Sequence, residues 1–211
     1  MNSIVTFPNR IPTTEFEERR FKVYTDKQLD KIEVIQNLPE ETLFEMKVVA
    51  SVLPFRVNEY VINELIDWDK VPDDPIYQLT FPQKGMLAPE HFDKVAEAMR
   101  GGDKAEIDAA VAEVREALNP HPAGQMEHNM PEVDGEKIEG IQHKYNETVL
   151  FFPSQGQVCH SYCTFCFRWA QFIGDNDLKI ATKEAGQLKR YVQAHPEISD
   201  ILITGGDPLV M

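Results

Sequence analysis

Apolar residues recur at helical intervals through the first half of the chain, then give way to short continuous runs. After an irregular lead-in over residues 1–20, Phe21 to Tyr24 reads as a short strand. Thr25 with Gln28 has the form of a capping box, and Leu29, Ile32 and Ile35 come after it at helical spacing. A second helix is predicted from Pro39, a favoured first-turn residue, with Leu43, Phe44, Val48, Val49 and Val52 on its apolar side and Pro54 to stop it. Asn58 caps a third, running to Ile66. Residues 67–89, with Pro72, Pro75, Pro82, Gly85 and Pro89, read as loop. Helical patterns resume over 89–99 and 103–118, interrupted by Gly101-Gly102, and the stretch 119–140, rich in proline, glycine and acids, reads as a linker or an ordered excursion.

At Thr148 the pattern changes. Thr148-Val149-Leu150-Phe151-Phe152 is a β-branched and aromatic run, as in a buried parallel strand. Further on, Thr182 is placed to cap a helix carrying Ala185, Leu188, Tyr191 and Val192, which His195-Pro196 ends. Asp200-Ile201-Leu202-Ile203-Thr204 reads as a second buried strand. The sum is a β-loop-α-β unit with parallel strands and a right-handed crossover. The fold class is therefore α/β: a mainly helical region with its linker over 1–140, then the first unit of a partial (β/α) barrel over 141–211. Two parallel strands cannot cover both their faces. A closed barrel usually takes ~200 residues or more, so the expectation is the N-terminal part of a longer protein. The competing expectation is an α+β domain complete as it stands.

With 42% apolar residues the chain can bury a core, and its formal charge of −14 argues against nucleic-acid or anionic-membrane partners. The first ten residues lack the basic-then-apolar order of a signal peptide, and no run approaches the ~18 apolar residues that span a bilayer. Three clustered cysteines make a poor disulfide framework, which points to a reducing, cytoplasmic location.

Those three cysteines, Cys159, Cys163 and Cys166, fall at C-x3-C-x2-C directly after the first strand. Thiolates are the usual ligands of a [4Fe–4S] cube, and three of them leave one iron without a protein ligand. An open coordination position is what separates a reactive metal site from a structural one. The second strand runs into Gly205-Gly206-Asp207-Pro208-Leu209. Active sites of parallel α/β folds gather at the C-terminal strand ends, so the cysteine loop and the Gly-Gly-Asp turn should be neighbours. Glycine permits close backbone approach or positive φ, and Asp207 can accept from an ammonium group. A structural zinc site using the three cysteines and a histidine is the alternative, although zinc folds usually join two separated ligand pairs. His160 reads as a spacer. His121 and His128, near Glu127, read as solvated loop histidines, Trp68 and Trp169 as packing residues, and the acids of 103–118 as a solvated face.

The cysteine loop with Phe165 before its last cysteine, together with Gly205-Gly206-Asp207, resembles the radical S-adenosylmethionine (SAM) superfamily. More narrowly, the chain resembles the lysine 2,3-aminomutase family through His143-Lys144-Tyr145, Cys166-Phe167-Arg168 and the run from Asp200 to Leu209, with a fainter likeness at Asp73-Asp74-Pro75 and Phe81-Pro82. The resemblance implies that Cys159, Cys163 and Cys166 hold the cluster while SAM chelates the fourth iron. It implies that Gly205, Gly206 and Asp207, with Phe165, contact SAM, and that an electron donor such as flavodoxin or ferredoxin drives its cleavage to a 5′-deoxyadenosyl radical. Pyridoxal phosphate would hold an amino-acid substrate during 1,2-amino migration, with Tyr145 and Lys144 near it and Arg168 on the substrate carboxylate, a task suited to a bidentate guanidinium. Radical SAM chemistry without pyridoxal phosphate is the alternative within the superfamily, and self-association is left open. Several positions depart from the family pattern. Lys144 and Thr148 stand where the family has arginines, Pro153 to Val158 makes a longer loop, and Trp169 and Ala170 replace basic residues. The pyridoxal-bearing lysine would lie beyond Met211.

Overall fold

The structure is a computed structural model that describes residues 21–175, 178–183 and 185–207. The lead-in expected over residues 1–20 lies outside that set, as do Pro208 and Leu209. Strand β1 (Val23–Thr25) pairs antiparallel with β2 (Arg56–Asn58), and the helical segments between them fold back over this ribbon. Thr25 donates its N–H to Gln28 Oε1 at 3.0 Å, the backbone half of the expected capping box. The chain then forms not one α-helix but two 3₁₀ segments, Asp26–Lys31 and Glu33–Asn37, parted by extended backbone at Ile32. Leu29, Ile32 and Ile35 recur every three residues, which suits three residues per turn, and all three are buried. Each such side chain contributes roughly 1.5–3 kcal/mol by leaving water.

Helix α1 (Glu40–Val52) starts just after Pro39 and ends before Pro54 as its sequence requires. The third predicted helix forms, but wound as a π-helix over most of its length: Asn58 ends β2 and its Oδ1 accepts from Val61 N–H at 3.0 Å, Glu59 and Tyr60 are helical, and the π-helical segment Val61–Leu65 follows. The expected loop over 67–89 contains helix α2 (Pro75–Thr80). Its start signal is strong, since buried Asp74 Oδ1 accepts from the N–H groups of Ile76 and Tyr77 at 2.9 and 2.8 Å, and Pro75 occupies the first turn. The prolines around it masked so short a helix. Helices α3 (Pro89–Gly101) and α4 (Lys104–Ala117) form an antiparallel pair around Gly102, whose φ is +78°.

These elements hold two apolar clusters. One gathers Leu29, Ile35, Met46, Phe55, Tyr77 and Phe81; the other packs Val48, Val49 and Val52 of α1 against Phe92, Val95, Val111 and Val114. Helix α1 therefore serves both, one on each side.

The stretch over 119–140 is an ordered excursion holding a hairpin, β3 (Glu132–Val133) and β4 (Glu136–Lys137), closed by Asp134-Gly135 with both residues at positive φ. Strand β5 (Ile141–Tyr145), which the sequence pattern did not suggest, pairs antiparallel with β6 (Thr148–Phe151), and β6 pairs parallel with β7 (Asp200–Ile203). Helix α5 (Ala185–Ala194) packs Tyr191 and Leu188 on Ile141, Val149 and Phe151. Thr182 stands three residues before α5. Its backbone pairs with Phe152 and Ser154 in a parallel bridge beside the continuation of β6. The prediction of a buried second strand is also corrected. Ile201, Leu202 and Ile203 are 48, 53 and 51% exposed, because β7 is an edge strand whose faces carry little cover among the described residues.

Candidate functional site

Beyond β6 the chain passes buried Phe152, a 3₁₀ turn (Ser154–Gly156) and buried Gln157 before reaching Cys159. The cysteine loop beyond it is mounted on the N-terminal helical region. Tyr162 N–H donates to Arg56 O at 2.9 Å, and Thr164 donates its N–H to Leu79 O at 2.8 Å and its hydroxyl to Gln78 O at 2.9 Å. Tyr162 stacks on Phe172 with centroids 4.6 Å apart. Two tight turns, Cys166 N–H to Cys163 O and Trp169 N–H to Cys166 O, both 3.1 Å, bring the third cysteine round.

The three thiols are free of disulfides, Cys163 exposed and the other two half-buried. Burial pushes the Cys159 thiol up; the backbone N–H of Asp207 opposes this, and the charges of Cys166, Asp207 and Cys163 push it further. Cys166 is pushed up by burial and by Cys163, and eased by the backbone N–H and the guanidinium of Arg168. Neighbouring thiolates thus repel one another, a penalty that a bound cationic centre reverses. Among the described residues no group of three His, Cys, Asp or Glu side chains is gathered to hold one metal ion. A four-iron cube asks for something else, since each thiolate takes its own iron, and three soft, mutually sensed donors on one loop fit that demand.

The Gly205-Gly206-Asp207 turn lies against the segment entering this loop. Gly206 N–H donates to Gly156 O and Asp207 N–H to Val158 O, each at 2.9 Å. Gly205 has φ +118°. A Cβ on Gly206 would stand 2.2 Å from Val158 O and 2.4 Å from Gly156 O, so what approaches this glycine is the chain's own backbone. Gln157 completes the joint, its Nε2 donating to Pro153 O at 3.0 Å and Thr204 O at 3.3 Å. Sequence reasoning passed over Gln157 and the mounting residues Arg56 and Tyr162. A lone amide in an irregular loop and contacts between residues 86 apart, as for Thr164 and Gln78, leave no local signal.

Arg168 is half-buried with its guanidinium 4.9 Å from the Phe152 ring centroid and 5.0 Å from that of Phe167, at the same strand end as the thiols. Burial pushes its pKa down and the Cys166 charge opposes that. Phe165 and Phe167 project outward, 76 and 74% exposed. Trp169 opens the short helix Trp169–Gln171 that closes the loop. Lys144 and Tyr145 are elsewhere. Tyr145 pairs with Thr148, at the start of β6, whereas the cysteine loop lies past its end. There Lys144 Nζ lies 5.7 Å over the exposed Tyr145 ring. The two residues assigned to pyridoxal phosphate thus lie at the start of β6, and the cysteine loop follows its end.

Fold and site together define a mixed helix-and-sheet chain that presents three free thiols at one end of its sheet, beside a glycine-acid turn. No protein-family model matches it. It is 32% identical over 185 residues to a protein of Aquifex aeolicus named "Putative L-lysine 2,3-aminomutase", covering 88% of this chain and 39% of that protein. To the L-lysine 2,3-aminomutase of Bacillus subtilis it is 24% identical over 188 residues, 89% of this chain and 32% of the relative. A shorter match, 33% over 82 residues, is to the enzyme of that name in Haemophilus influenzae, covering 38% of this chain and 23% of the relative. The chain is a divergent relative of the lysine 2,3-aminomutases and spans about a third to two fifths of the length of the first two relatives.

Proposed function

We propose that the chain is the cluster-bearing part of a radical SAM isomerase that shifts an amino group between adjacent carbons of an amino acid. The observation that supports this most is the joint between the two chemical motifs. Asp207 donates its backbone N–H to Val158 O, and the same residue's N–H eases the Cys159 thiol, so the glycine-acid turn and the first cysteine share one edge.

Cys159, Cys163 and Cys166 would hold a [4Fe–4S] cluster, giving up their protons on loading. The Asp207 carboxylate, beside Cys159, would accept from the amino group of SAM. Bound together, cluster and SAM supply the reductive cleavage that yields a hydrogen-abstracting radical. Arg168, held between two aromatic rings, offers a fork to the substrate carboxylate on the same side. Phe165 and Phe167 give this end an apolar rim. No step is assigned to pyridoxal phosphate; Lys144 and Tyr145, which the resemblance puts near it, stand at the start of β6. The proposal includes a small electron-donor protein such as flavodoxin or ferredoxin, and a cytoplasmic location that suits free thiols. Among the described residues no helix is long and apolar enough to cross a membrane.

Anaerobic reconstitution with iron and sulfide tests this. About four irons per chain and SAM cleavage upon reduction are expected. Stoichiometric zinc with no SAM cleavage would sink the proposal.

A further inference from the structure

Behind the cysteine loop, on the side of the N-terminal helical region, lies a cavity of about 250 Å³. Its wall includes Asp26, Lys27, Arg56, Arg115 and Tyr162. Three cations against one carboxylate give these residues a formal charge of +2 in a chain that carries −14, with Asp175 acting on Arg115 from outside the wall. Such a local reversal of sign concentrates anions at one spot.

The two arginines differ. Arg115 is fixed in place, its Nε and Nη2 donating to Val52 O and Ser51 O at 2.8 and 2.9 Å, which satisfies carbonyls at the end of α1. Burial pushes its pKa down. Arg56 is the unfinished one, with a buried Nε that has no hydrogen-bond partner among the described residues. A buried donor left unpaired is costly, more so on a charged group, and a guanidinium is shaped to take an oxyanion on two nitrogens. The size of the cavity, just under the range of pockets for drug-sized ligands, suits a small molecule.

We infer that this cavity is a binding site for a small oxyanion, a phosphate or carboxylate group held by Arg56 with Lys27 and Arg115 around it. The site is separate from the thiols and does not rest on the proposed function. It is joined to the cysteine loop by Tyr162, which lines the cavity and donates its backbone N–H to Arg56 O.

Thermal unfolding of the 211-residue chain, titrated with inorganic phosphate and separately with succinate, reads the site out. Sodium chloride at matched ionic strength is the control. The expected result is a saturable rise in the midpoint with phosphate, succinate or both, beyond that given by chloride. Arg56→Gln should shift the titration to about tenfold higher ligand or more, the worth of one or two charge-assisted hydrogen bonds. Lys27→Gln, which leaves β2 untouched, should shift it in the same direction by less. A rise that chloride reproduces, no rise with either anion, or variants that titrate like the parent chain would each overturn the inference.

Discussion

Gly206→Ala is the sharpest perturbation of the joint between the glycine-acid turn and the cysteine loop. The added Cβ would sit 2.2 Å from Val158 O, 2.4 Å from Gly156 O and 2.5 Å from Val158 N. These are backbone atoms, so no flexible side chain can swing clear, and the turn must separate from the 156–158 segment. Separation breaks the bonds from Gly206 N–H to Gly156 O and from Asp207 N–H to Val158 O, at about 1 kcal/mol each. The local cost is therefore about 2–3 kcal/mol once strain is included. It also takes the Asp207 N–H away from Cys159, whose thiol should move further up. The assay is alkylation of each cysteine, read by mass spectrometry across a pH series. Cys159 in the variant should need a higher pH for half-maximal rate than in the parent chain. Gly186→Ala is the control. Gly186 lies in α5 with nothing among the described residues within 4 Å of a built Cβ, so alanine there should stabilise by about 0.5–1 kcal/mol. If Gly206→Ala leaves the Cys159 profile and the unfolding midpoint at parent values, the two motifs are not coupled and the reasoning fails.

Arg168→Gln should retain iron and SAM cleavage but lower turnover of a carboxylate-bearing substrate by about 100-fold, the worth of a bidentate charged contact; loss of iron in this variant would make Arg168 a scaffold residue instead. Asp74→Ala removes the cap of α2 and the bond that Asp67 N–H donates to Asp74 Oδ2 at 3.1 Å, and should cost about 2 kcal/mol in urea unfolding. Tyr77, pushed up to about 12 by burial, favours its neutral form in the folded chain, so its contribution is fully present below the ordinary phenol value near 10 and is lost as pH rises towards 12. Tyr77→Phe should flatten that alkaline decline without abolishing it, because Tyr162 is also pushed up to about 12; an unchanged slope counts against a buried phenol at this position.

Helices α3 and α4 were legible in the sequence because each has a strong local start signal and a glycine between them. The strand after residue 148 was legible because its run of Val149, Leu150 and Phe151 is unbroken. Helix α2 was hidden because six residues among several prolines carry less periodicity than noise, although Asp74-Pro75 was a start signal in plain view. Strand β5 was hidden because Ile141-Gln142-His143-Lys144-Tyr145 alternates poorly: its burial comes from β6 and α5, not from its own pattern. The exposure of β7 could not be read from Ile201-Leu202-Ile203 at all. An apolar run says what a strand needs covered, and which neighbours cover it is a property of the sheet.

The candidate site divides the same way. Cysteine spacing is a local code, so Cys159, Cys163 and Cys166 were visible at once, and Gly205-Gly206-Asp207 became meaningful as soon as two parallel strands put both loops at one sheet end. What holds the loop still is non-local. Tyr162 is anchored on Arg56 of β2, and Thr164 on Gln78 and Leu79 of α2, which in turn is capped by Asp74. Between those anchors the chain packs Trp68, Tyr77 and Phe81 together, their rings 5.2–5.9 Å apart. Loosening this aromatic cluster should then be felt at the cysteines before it is felt in α3 and α4, which belong to the other core. Phe81→Ala, costing about 3–5 kcal/mol if the cavity stays open, should accelerate alkylation of Cys159 and Cys166 while helical signal from α3 and α4 persists. Simultaneous loss of both would mean that α1, which packs against each core, transmits the damage directly and that the mount has no independence.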